Sequence, residues 1–104
     1  MTIEHAFLED IVQKEFGFSS MDAFVKQQTY CIFQQRFDET QAIIARYETK
    51  YGMNLTGFQE RVVNADDELL RPFGIIEKED DLMDWEFQDH ALPYYQQRLQ
   101  QLSA

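Results

Sequence analysis

The chain holds two histidines, His5 and His90, and one cysteine, Cys31. His90 follows Glu86 by four residues, a spacing that puts a carboxylate and an imidazole on one helix face. The pair could give two ligands to a metal, but carboxylate–histidine sites in helical bundles use a spacing one residue shorter. A surface hydrogen bond is the simpler reading. Asp80, Asp81 and Asp84 could attract a divalent cation, yet no glycine-centred loop of alternating oxygen ligands surrounds them. They read as the solvated start of a helix. Cys31 lies between Tyr30 and Ile32, the setting of a buried, unreactive thiol. A lone thiol makes neither an intrachain disulfide nor a zinc cluster. Neither His stands near a Ser or Cys in a nucleophile context, and the four Gly are isolated, so no phosphate loop forms. No catalytic residue, metal or cofactor is assigned, and the chain is read as not an enzyme.

The elements that would position these groups are helical. Between Met21 and Tyr51 there is no Gly or Pro, and Tyr30, Phe33, Phe37, Thr40, Ile44, Tyr47 and Tyr51 step by alternating threes and fours. That is the seam of a long helix lying against another helix, in a core or a dimer. Met21, Phe24, Val25, Ile32 and Ile43 lie off this seam, so the helix has two apolar edges and room for a second neighbour or a second copy of the chain. Before it, Ile3, Phe7, Leu8, Ile11, Val12 and Phe16 share one face of a short amphipathic helix. Gly17 fits the left-handed position past its end, and Ser19 with Asp22 fits a capping box for the long helix. The first helix should then fold back on the long one.

Gly52 stops the long helix, Asn54 caps a short third helix, and Met53 with Phe58 forms a hydrophobic staple. Residues 64–76 read as an acidic connector with one helical turn at 66–70. The last helix is expected over about 77–102, with Leu82, Trp85, Leu92, Tyr95, Leu99 and Leu102 as its apolar stripe. Pro93 should kink it or make it restart, and it should fray past Leu102. The expected fold is a single all-α domain, an antiparallel bundle of about four helices, two of them long. The aromatic stripes are read as core and interface.

Charge separates the chain into two parts. The net charge is −10, and residues 64–89 hold ten acids against Arg71 and Lys78, a net −8. Such a chain is repelled by nucleic-acid phosphates and anionic headgroups, which excludes direct binding to either through a basic face. An acidic chain can instead bind a basic protein partner, with charge complementarity speeding encounter, while the plainer reading is that the acidity only keeps it in solution. With no signal-like start and no membrane-length apolar run, the expected setting is cytoplasmic and reducing.

Residues 46–62, which run through Lys50-Tyr51-Gly52-Met53-Asn54 to Phe58, and the later Asp80-Asp81-Leu82-Met83-Asp84-Trp85-Glu86, carry a resemblance. A helix ending at Gly52, a short helix with a central Phe and an acidic connector leading to Asp-Trp-Glu resemble small prokaryotic antitoxin-like proteins, often encoded beside a small toxin. The resemblance spans about residues 44–102. It implies a helical protein that binds a basic, toxin-like partner through its C-terminal half. The chain lacks the basic N-terminal DNA-binding arm of many such proteins, so the first two helices would serve packing or homodimerisation. The residues expected to meet the partner are Asp80, Asp81, Asp84, Trp85, Glu86 and Asp89. The competing reading is a helical homodimer that binds a small molecule or metal between its long and last helices.

Overall fold

The computed structural model describes residues 4–103, and among these there are helices and turns but no strand. In chain order they are α1 (His5–Asp10), a π-helical turn (Ile11–Glu15), α2 (Met21–Tyr51), α3 (Leu55–Val62) and α4 (Ile75–Ser103). The fold is all-α. No helix among the described residues is long and apolar enough to cross a membrane.

Local chemistry sets most of the ends. Ser20, in an extended conformation, accepts the Ala23 amide on its Oγ at 3.1 Å and so caps α2. Ser19 was the expected cap. Both serines carry the right hydroxyl, and the helix begins where the second one places it. Gly52 takes φ 68° and returns its amide to the Glu48 carbonyl at 2.8 Å, closing α2. Asn54 accepts the Gly57 amide at 2.9 Å and starts α3. In the connector, Asp67 Oδ1 accepts the amides of Leu69 and Leu70, and the Arg71 amide reaches the Asp67 carbonyl, making a single helical turn.

Three expectations are corrected. The last helix starts at Ile75, two residues early, because Glu77 Oε1 accepts the Gly74 amide at 3.2 Å and closes its first turn. It does not restart at Pro93, which lies inside one continuous helix extending to Ser103. Leu92, Tyr95 and Leu99 pack on either side of the proline, and this tertiary cover outweighs one missing amide bond. The first helix does not fold back along α2. It buries none of its residues and passes into the π turn, where Phe16 N–H bonds the Ile11 carbonyl at 3.1 Å. Only Val12, 3% exposed, is buried there, with Phe16 and Phe18 against Phe24. Ile3, assigned to this helix from its spacing, lies outside the described residues.

α2 and α4 run antiparallel along the expected seam. Phe33 meets Tyr94 and Tyr95, Thr40 bonds Gln88, and Tyr47 and Tyr51 stack on Trp85. Phe33, Phe37, Ile44 and Tyr47 are half-buried, as is Tyr30 near Leu102, and Tyr51 is buried. The core sits at one end, where α3 and the connector close over the hairpin. Trp85, Phe58 and Leu70 are fully buried there, with Tyr51 beside them. The molecule measures 65 × 33 × 17 Å with a radius of gyration of 20.9 Å, against about 13 Å for a compact chain of this length. The bundle is therefore a long, thin hairpin with one capped end.

Leu70 and Leu69 give a direct check of that cap, since the first is fully buried and the second 56% exposed. Leu70→Ala should cost about 3 kcal/mol in denaturant unfolding, and Leu69→Ala less than about 0.5 kcal/mol. Equal costs would show that the connector does not close the core.

Candidate functional site

The acidic first half of α4 begins as a helix whose turns present carboxylates to two opposite sides. On the side facing α2, Glu77 and Asp81 receive Lys50 from the last turn of α2, with Nζ at 2.7 Å from Glu77 Oε2 and 2.6 Å from Asp81 Oδ2. Tyr51 also donates its hydroxyl to Asp81 Oδ2. One turn on, Tyr47 donates to Asp84 Oδ2 at 2.5 Å, and Gln88 donates to Asp84 Oδ1 at 3.2 Å. Thr40, 4% exposed, completes the row by donating to Gln88 Oε1 at 3.0 Å. These groups form a polar ladder along the edge of the aromatic core. Its logic is simple: phenols whose rings are buried still need an acceptor for the hydroxyl.

Trp85 lies between these rungs, stacked on Tyr47 at 5.5 Å and on Tyr51 at 6.2 Å, with Phe58 at 5.3 Å. Its 0% exposure corrects its assignment to the partner surface. An indole among three rings is core, and it holds the ladder in place. Asp81 and Asp84 are half-buried and already engaged. Asp80, Glu86 and Asp89 are exposed, and Glu86 accepts from Gln59 of α3 at 2.9 Å. The six residues expected to act together are thus split, three turned inward and three outward.

The outward side carries a feature that the sequence reading missed. Ile76, Met83, Phe87 and Tyr94 are separated by seven, four and seven residues, which places them in one row opposite Trp85. They are 72%, 71%, 64% and 44% exposed. Glu79, Asp80 and Glu86 stand exposed among them. The spacing was available in the sequence, but only the inward stripe of this helix was traced.

Beside this row a groove of about 370 Å³ opens between α2, α3 and α4. Ile44 and Trp85 floor it, and Glu48, Glu86, Asp89 and His90 stand around it. Asn54, Thr56 and Gln59 come from α3 and its cap, and helix spacing does not tell which turn of α3 faces α4; Glu48 joins them from the last turns of α2. Glu86 and His90 do line the same groove. Among the described residues no group of three or more His, Cys, Asp or Glu is placed to hold a metal ion. The groove presents the carboxylates of Glu48, Glu86 and Asp89 and the imidazole of His90 beside the apolar surfaces of Ile44, Leu55 and Trp85.

The ladder makes stability depend on pH. Burial, then the bond to Asp84, pushes the Tyr47 phenol from 10.0 up to about 12. Burial and Asp81 push Tyr51 up further. A raised pKa keeps the proton in the folded state where the unfolded chain has lost it. The Tyr47 contribution is therefore complete below 10.0 and declines as pH rises toward about 12. Lys50, held up first by Asp81 and then by Glu77, follows the same alkaline sense. Glu77 is held below 4.5 by Lys50 and the Gly74 amide, so its small, exposed contribution is lost as pH falls below that value. Tyr47→Phe should lower stability near neutrality by about 1.5 kcal/mol and flatten the alkaline decline in denaturation measured across pH. An unchanged alkaline slope would place the titration elsewhere.

Comparison with protein-family models, with curated proteins and with solved structures finds no match.

Proposed function

We propose that this chain is a non-enzymatic interaction protein whose acidic C-terminal half binds a basic protein partner, in the manner of the antitoxin-like proteins it resembles. The observation that carries the reading is the outward face of α4. Four large apolar side chains lie there in one row with exposed Glu79, Asp80 and Glu86 among them, and Asp89 follows at the groove. Exposed apolar rows rimmed by charge are interaction surfaces. The sign of the rim selects a cationic partner, speeds encounter and disfavours acidic competitors. Lysine or arginine side chains would find Glu86 and Asp89 at the groove, while the partner's apolar groups would cover Met83 and Phe87.

Two charge reversals, Asp80 in the row and Asp89 at the groove beside it, test the reading. Affinity capture of the native chain from its own cells should recover a small basic protein, and more of it at low salt than at high salt. Asp80→Lys with Asp89→Lys alters only exposed side chains, so the variant should keep its helical circular dichroism while binding that protein at least about ten-fold more weakly. Asp38→Lys with Glu39→Lys, on the exposed back of α2, should leave binding unchanged. Capture of no basic protein, or equal binding by both variants, would overturn the proposal.

A further inference from the structure

The other end of the molecule carries a second uncovered apolar surface. α1, the π turn and the start of α2 form an arm on which Phe7 is 61% exposed, Leu8 36%, Phe16 56%, and Val25 and Ile32 each 52%. α1 is six residues long and buries none of them. A helix that short is not stable in water on its own propensity and needs its apolar face covered.

We propose that a second copy of this chain packs on the arm, so that the two arms cover each other. Area gives the first argument. The chain exposes 7653 Å², whereas a compact monomer of 12.4 kDa exposes about 6,100 Å². The excess of about 1,500 Å² is close to two standard contact patches of about 800 Å² each. The chain's two uncovered apolar faces, the α4 row and the arm, both lie within this excess.

Charge decides which face meets another copy. Two α4 faces brought together would oppose acidic rows drawn from a region of net −8 in 26 residues. Residues 4–43 hold seven acids and three bases, a net −4 over 40 residues. One of those acids, Asp10, is paired with Lys14 at 2.9 Å, and Glu9 Oε1 lies 3.0 Å from His5 Nδ1. Self-association through the arm therefore covers an apolar face at the lower electrostatic cost. A twofold contact also suits it, since the same short helix is supplied and covered on both sides. The inference does not depend on the α4 partner.

Light scattering and sedimentation of the full chain test it. The expected mass is twice 12.4 kDa at micromolar concentration. Leu8→Glu with Ile32→Glu should halve the mass and lower the helical circular dichroism by no more than the short α1 contributes, since both side chains are exposed in the single chain and the hairpin core is untouched. Met83→Glu with Phe87→Glu, on α4, should remain dimeric. Cys31 is the one thiol, and it is exposed beside Ile32 rather than buried as its apolar flanks suggested, because this edge of α2 has no neighbour among the described residues. A spin label there should report dipolar coupling between copies that the arm variant abolishes. A wild-type monomer at about 100 μM, a dimer that survives the arm substitutions, or one that dissolves with the α4 substitutions instead would overturn the proposal.

Discussion

The stack of Tyr47 and Tyr51 on Trp85 is the contact on which the remaining structure depends. It is where α2, α3, α4 and the connector come together, through Phe58, Leu70 and Phe73. Burying an indole removes about 200 Å² from water, worth about 5 kcal/mol. No other contact in so thin a molecule offers as much. α3 shows the dependence most plainly. It has eight residues with Gly57 in its first turn, and neither length nor propensity would keep it helical without Phe58 against the indole. The carboxylates follow from the same contact. Once two phenol rings pack into the core, their hydroxyls need acceptors, and Asp84 and Asp81, about one turn apart on α4, accept from Tyr47 and Tyr51 directly.

One capped end on a long hairpin has a consequence for the surface. Two helices share a single seam, so every other face of each is open unless a third layer covers it. Here α3 and the connector cover only the stretch near Trp85. α4 nevertheless carries apolar rows on opposite sides, and α2 carries a second edge at Val25 and Ile32. A dimension of 17 Å is less than two stacked helices occupy with their side chains. The uncovered rows are a result of geometry and not of loose packing, because Trp85, Phe58 and Leu70 at the capped end are fully buried.

The long helix was legible because its information is local and repeated. Thirty-one residues without Gly or Pro, a seam in threes and fours, and Gly52 in left-handed conformation at its end all speak to backbone geometry that a sequence encodes directly. Asn54 as a cap was legible for the same reason. The start of α4 was not, since Ile75 and Ile76 are exposed in its first turn and an exposed apolar pair before an acidic run resembles a connector. Pro93 misled because the rule it follows is local while the outcome is set by packing on α2. The failure of α1 to fold back was invisible too. Its amphipathic pattern states that a face must be covered, and leaves open whether the cover comes from the same chain.

The acids of α4 show how far a charge count can be trusted. Residues 64–89 sum to −8, yet helical periodicity assigns Glu77, Asp81 and Asp84 to the α2 side, where Lys50 and two phenols engage them. Asp67 is likewise bound by Arg61 and by two connector amides. What remains outward is Asp66, Glu68, Glu79, Asp80, Glu86 and Asp89, spread over the connector and three turns of helix. Separated, exposed carboxylates each contribute little to affinity and are screened by salt. A partner on this face would therefore be drawn in by charge but retained by Ile76, Met83 and Phe87. Its identity would depend on presenting apolar groups at their spacing, with cations between them, and a protein that was merely basic would be released as ionic strength rose.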